Sequence, residues 1–324
     1  MDVKQIDVKG NYLYRLDNEL LSILLKDHSS GQNIIWATDN YASRGVGYKS
    51  DDQIAVTAIT GYNGGIIKPR TEKSKKEQSD RIRNKAEVFT PSWVCNKQNN
   101  LVDNVWFGAE SIFNTETDNS WEATPKPIVF PTVTKKSWIN YVTDMRLEIT
   151  CGEAPYLASR YDTITGDIIA VQQRIGLLDR KLRVVTENAK NEADWLKWAF
   201  RAYKNIYGYD WQGDNVLLAR ENLLFTFYDY YYAVFGKEPD ISVVRKIAEI
   251  LSWNIWQMDG LKYVIPGSCK ETKDQQLTLF DNEMTKMPCE GCAKNNMLKH
   301  TGIYCKIKDW RENKTVKYVS LLEK

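Results

Sequence analysis

Residues 148–157, EITCGEAPYL, decide the fold. They follow an apolar-bearing run that ends at Leu147, so a strand there delivers Glu148 to the carboxyl edge of a sheet, and Cys151-Gly152 turns the chain next. A glycine at such a turn lets the backbone pass under a ligand with no side chain in the way, as open α/β sheets require at their binding crevice. With only one glycine, the stretch is not the GxGxxG phosphate fingerprint. It reads as a nucleotide-cofactor loop or, without a ligand, as a plain strand-to-helix connection.

Working outward, three further segments carry chemistry. Upstream, AEVFTPSWVCNKQNNLVD (86–103) places Thr90 as a helix N-cap and Pro91 as the first helical residue, which makes a helix N-terminus available to an anion. Downstream, KNIYGYDWQGDNVLLARENLL (204–224) reads as a short strand, an acidic turn and a helix with apolar residues at helical spacing. Asp210 stands at that strand's end, where a carboxylate can accept both hydroxyls of a ribose. NIWQMDGLKYVIP (254–266) holds an Asp-Gly turn dipeptide after an apolar stretch.

In this order the four segments resemble the S-adenosylmethionine-dependent adenine-amine DNA methyltransferases of restriction–modification systems. Glu148, Cys151, Gly152, Tyr156 and Leu157 fall in register with that family's [DE]PxCGxGxFL loop, whereas Ile149 replaces the proline and Ala154 the second glycine. The FTP segment, the I-YG-[DE] stretch ending in A-R-x-N-L, and the xxDxL strand match in turn. The resemblance implies an α/β fold with a doubly wound, Rossmann-like sheet over residues 86–266. It also implies S-adenosylmethionine held by Thr90, Pro91, Glu148, Cys151, Gly152, Asp210, Trp211, Asp259 and Leu261. In that arrangement Trp211 and Leu261 pack on the adenine and Asp259 accepts from its amine. DNA is the implied partner, its target base flipped out of the stack.

The likeness breaks at the loop that holds the target amine, [DNS]PP[YF], because no Pro-Pro occurs in the chain. Pro288-Cys289 only faintly resembles the nucleophile loop of cytosine-ring methyltransferases, and no Glu-Asn-Val segment accompanies it. Two expectations stay open. Either the chain is a methyltransferase whose missing group comes from a residue such as Ser268 or from a separate subunit, or it is an inactive, methyltransferase-like subunit for DNA contact or regulation. A nuclease reading has no supporting PD-(D/E)xK-like strand pair.

The end of the chain spaces Cys289, Cys292, His300 and Cys305 as a CxxC knuckle followed by a His/Cys pair, a set able to close a tetrahedral zinc site. Cys269 is the substitute if His300 is not a ligand; free thiols are the alternative.

Composition bounds the rest. In 324 residues with 43% hydrophobic and 12% aromatic content, a sizeable globular core is expected. No apolar run approaches the ~18 residues of a membrane span, the first residues are too polar for a signal peptide, and six cysteines suit reduced thiols, so a cytoplasmic protein is expected. Net charge is only +2, which leaves local patches to attract nucleic acid. The sequence divides into a small helical unit (1–67), a basic linker or phosphate-contacting strap (68–85), the cofactor domain (86–266) and a cysteine-containing tail (267–324). NIIWATDNY in the first unit resembles the N-terminal part of restriction-system methyltransferase subunits of mobile elements. Arg174, Arg180, Lys181 and Arg183 either face DNA or form a charged outer helix face, and NLLFTFYDYYYAVFG is a core helix against the sheet.

Overall fold

A computed structural model describes residues 10–85, 87, 90–274 and 285–322. Along the chain, α1 (Gly10–Leu16) and α2 (Leu20–Leu25) precede a loop region carrying α3 (Val56–Ile59), and α4 (Lys75–Lys85) leads to α5 (Ser92–Phe107). A hairpin of β1 (Asn114–Thr117) and β2 (Ser120–Ala123) and the short α6 (Trp138–Val142) come before β3 (Arg146–Ile149). Helices α7 (Leu177–Asn188) and α8 (Glu192–Tyr203) then connect β3 to β4 (Ile206–Asp210). Helices α9 (Gly213–Phe235) and α10 (Ile241–Asn254) connect β4 to β5 (Ile255–Gln257). The remainder comprises an antiparallel pair, β6 (Thr272–Asp274) with β7 (Thr285–Met287), then α11 (Glu290–Lys294) and a hairpin of β8 (Lys306–Asp309) with β9 (Lys314–Lys317).

The architecture is mixed α/β with small sheets. Its one parallel sheet has three strands in the order β3-β4-β5, and among the described strands that order never reverses. Helical crossovers explain the parallel pairing, since two parallel strands cannot be joined by a tight turn. Residues in register share a face: Glu148, Gly208 and Ile255 on one side, Leu147, Tyr207, Tyr209 and Trp256 on the other. Helix α9 is buried at nearly every position from Gly213 to Tyr231, which is why its aromatic sequence lacks a polar stripe. The opposite face of β4 and β5 packs under the β8–β9 hairpin, with Tyr209, Trp256, Met258, Ile265, Cys305 and Ile307 forming a second, smaller core. At β3 that cover stops, leaving Leu147 44% and Ile149 61% exposed beside a strand edge with no partner among the described residues.

Two boundaries expected from sequence dissolve in three dimensions. Residues from 10 to 67 are not a separate unit: Leu13, Leu24 and Trp36 belong to the same core as α9. The fully buried Arg220 of α9 donates to the carbonyls of Leu24, Lys26 (3.0 Å), Ser252 (2.9 Å) and Ile255 (2.8 Å), stitching α2 to the sheet. Nor is 68–85 a free linker. Arg81 is 3% exposed and donates to Asp214 and Glu87, because the strap folds back as α4 against the start of α9. Residues Met1–Lys9, Ala86 and Phe89 lie outside the described residues.

Candidate functional site

At the carboxyl end of the parallel sheet the loop after β3, the turn after β4 and the middle of α5 line a cavity of about 650 Å³. Of the residues expected to hold a cofactor, Thr90, Glu148, Cys151, Gly152, Asp210 and Trp211 line it together. Pro91, Asp259 and Leu261 do not. Asp259 follows turn chemistry instead: Oδ1 accepts the N–H groups of Leu261 (3.0 Å) and Lys262 (3.1 Å), and Leu261 projects into solvent at 86% exposure.

The loop is conformationally unusual. Thr150, Gly152 and Ala154 all adopt left-handed backbone, at φ 47°, 53° and 61°. Gly152 takes that shape without strain, and nothing lies where its side chain would be, so the backbone faces the cavity bare. Ala154 takes the same conformation at a steric cost. Desolvation first, then the neighbouring Asp210 and Glu148 side chains, push the buried Cys151 thiol well up.

The carboxylates are preorganised by backbone. Asp210 accepts the N–H groups of Gly152 (2.9 Å) and Gln212 (2.9 Å), which ties the ends of β3 and β4 together. Burial raises its carboxyl to about 6 against the pull of those bonds. Glu148 accepts from Tyr156 N (3.3 Å) and Leu157 N (3.1 Å) and is raised to about 8, again by burial. Trp211 is 43% exposed with its indole N–H fixed on Ala37 O at 3.1 Å.

Sequence reasoning missed Glu87, Glu153 and Asn215, which also line the cavity. Asn215 bridges Glu87 (2.7 Å) and Asp210 (3.3 Å), and the buried Gln212 Oε1, also in the lining, has no hydrogen-bond partner. Glu153 lay in plain view inside EITCGEAPYL. Among the described lining residues four are acidic and none is Lys, Arg or His.

Two expectations are corrected nearby. Thr90 does not cap α5; the helix N-terminus at Ser92 is taken by the Asp162 side chain, which accepts Ser92 N at 2.8 Å. A protein carboxylate thus holds the position an anionic ligand group would have used. Arg174, Arg180, Lys181 and Arg183 are not an outer charged face: each is tied into the protein, Arg183 to Glu187 at 2.8 Å and to the carbonyl of Thr124 at 2.6 Å. Arg180 bonds Asp103 at 2.6 Å, Arg174 bonds Asp229 at 2.6 Å, and Lys181 is buried on the carbonyls of Asp144 and Asn205 (3.0 Å).

A second constellation lies in the C-terminal region. Cys269, Cys289, Cys292 and His300 bring their ligand atoms within 4.8 Å of one another. His300 Nδ1 stands 3.6 Å from Cys269 Sγ, 3.7 Å from Cys289 Sγ and 3.6 Å from Cys292 Sγ. A tetrahedron with Zn–S near 2.3 Å and Zn–N near 2.0–2.1 Å has S···N edges of about 3.6 Å, so the spacing fits zinc. Cys305, expected as the fourth ligand, is replaced by Cys269. Its own thiol is fully buried and donates to Gln257 O at 3.3 Å, pinning the tail to β5. Gly291 is required at the knuckle, since a Cβ there would sit 2.6 Å from His300 Nδ1.

Comparison with family models, curated proteins and solved structures returned no match.

Proposed function

We propose that the chain binds S-adenosylmethionine at the carboxyl edge of its parallel sheet, as the cofactor-holding part of a DNA adenine-amine methyltransferase of a restriction–modification or mobile-element system. The chemistry of the lining carries this reading. Four acidic side chains and no cation among the described lining residues offer the phosphates of a dinucleotide no partner, whereas acidic acceptors suit a ligand that combines a sulfonium, an ammonium and ribose hydroxyls. A volume of about 650 Å³ suits a ligand of that size. Asp210 accepts from the ribose, Trp211 offers an exposed ring face to the adenine, and the Gly152 backbone lets the ligand lie close. The cofactor would supply a methyl group on sulfur, and the chain's residues hold and orient it.

In this reading β3-β4-β5 is one wing of a doubly wound sheet. The other wing would pair along the free edge of β3 and carry the polar-Pro-Pro-aromatic loop that holds the target amine. The apolar, uncovered Leu147 and Ile149 favour completion by a separate polypeptide, because parallel sheets are ordinarily covered on both faces. The competing reading is a catalytically inactive subunit that keeps the cofactor fold for DNA contact or regulation. Zinc at Cys269, Cys289, Cys292 and His300 is structural: all four positions come from protein, leaving none for substrate.

Equilibrium dialysis against methyl-labelled S-adenosylmethionine tests the proposal. About one equivalent should be retained by the folded protein, and unlabelled ATP should not displace it. No retention by folded protein ends the reading.

A further inference from the structure

The basic strap expected at 68–85 folds into one wall of another cavity, of about 880 Å³, bounded on its other side by the loop around Tyr41. At its base is Lys73. The side chain is 7% exposed and lines the cavity, and its ammonium has no hydrogen-bond partner in the structure. The carboxylates of Glu153, Asp214 and Glu77 lie near enough to act on its charge, but none accepts a hydrogen bond from it, so the three donors of a buried ammonium are left for an anion that enters the cavity.

The surroundings are built to keep Lys73 in place. Gln78 Nε2 donates to the carbonyls of Arg70 (3.0 Å) and Lys73 (2.9 Å), fixing the backbone of the turn that carries it. The nearest carboxylates are already engaged. Asp214 accepts from Arg81 and from Tyr41 Oη (2.7 Å), while Glu153 accepts from Tyr161 Oη (2.5 Å) and Arg70 N (2.7 Å). Around the rim Arg44, Lys68, Lys76 and Arg83 are exposed. Of the two acidic lining residues, Glu77 turns back onto Ser74 N (2.8 Å) and Ser74 Oγ (2.7 Å).

We propose that this cavity is a phosphoryl-oxyanion site, with Lys73 as its buried anchor and Arg44, Lys68, Lys76 and Arg83 as its rim. It goes beyond the methyltransferase reading and does not depend on it. A tetrahedral oxyanion offers several acceptors to an ammonium with three donors, and the cavity is too large for a single phosphate. A free polyphosphate and the backbone of DNA present the same chemistry.

Calorimetric titration of the full chain with inorganic pyrophosphate tests the site. One equivalent should bind, and Lys73→Met, which keeps the aliphatic stem, should weaken binding at least tenfold. If that variant does not fold, the exposed double variant Lys68→Ala/Lys76→Ala should still weaken it severalfold. The source is read from binding of a duplex DNA across a salt series. A log–log slope smaller by about 2 in the double variant identifies the DNA backbone. Pyrophosphate binding with an unchanged slope identifies a free polyphosphate and also supports the site. The proposal is overturned by pyrophosphate binding that neither variant alters, or by no pyrophosphate binding together with an unchanged DNA slope.

Discussion

Glu148 shows how one residue serves both the fold and the ligand. Buried under the loop it organises, it is raised to about 8 from an ordinary 4.5, so the folded state binds a proton more tightly than the unfolded state. Its contribution to stability is therefore complete below about pH 4.5 and is lost as pH climbs through 8. Chemical denaturation at pH 5 and pH 8 should show stability falling with pH in the wild type and falling less in Glu148→Gln, by a few kcal/mol at about 1.4 kcal/mol per unit. Equal losses in both proteins would mean that Glu148 titrates normally. Its place at the sheet edge could be read from the strand that precedes it. Its bonds to Tyr156 and Leu157 could not, because they depend on how the loop closes through the left-handed Thr150, Gly152 and Ala154.

Elements were legible where their signal is local. The strand ending at Asp210 and the aromatic helix after it follow from period and punctuation, whereas the strand before Asp259 was legible only through the resemblance. What escaped are ties between distant segments. The 68–85 strap reads as solvated because its burial is supplied by Asp214, far along the chain. The fourth member of the Cys/His cluster escaped for the same reason: Cys305 is close to His300 in sequence, but its thiol is turned inward onto Gln257, and Cys269 arrives from the loop after β5. The two assignments separate experimentally. Cys269→Ser should lose the roughly one equivalent of zinc expected in the wild type, whereas Cys305→Ser should keep it and lower stability through a lost core contact. Metal analysis of both variants decides, and zinc retained by Cys269→Ser but lost from Cys305→Ser would reverse the correction. Chelation should loosen the region around α11 and leave the parallel sheet folded, as hydrogen exchange would record.

For the whole molecule, the acidic lining of the cavity suits a cationic, hydroxyl-bearing ligand, while β3 ends the sheet with an edge that is unpaired among the described residues. Cofactor binding and methyl transfer should therefore separate. At saturating labelled cofactor, the isolated chain should place no methyl on adenine in mixed-sequence DNA, and robust methylation would show that some residue of this chain replaces the missing amine-holding loop. The central claim concerns the cofactor, and calorimetry with S-adenosylmethionine tests it most directly. The account predicts one-to-one binding by the wild type, no heat with ATP, and at least a tenfold loss, about 1.4 kcal/mol, in Asp210→Asn, which keeps the shape of the side chain but removes its charge. Absence of binding to folded wild-type protein, or binding that Asp210→Asn leaves unchanged, would contradict it.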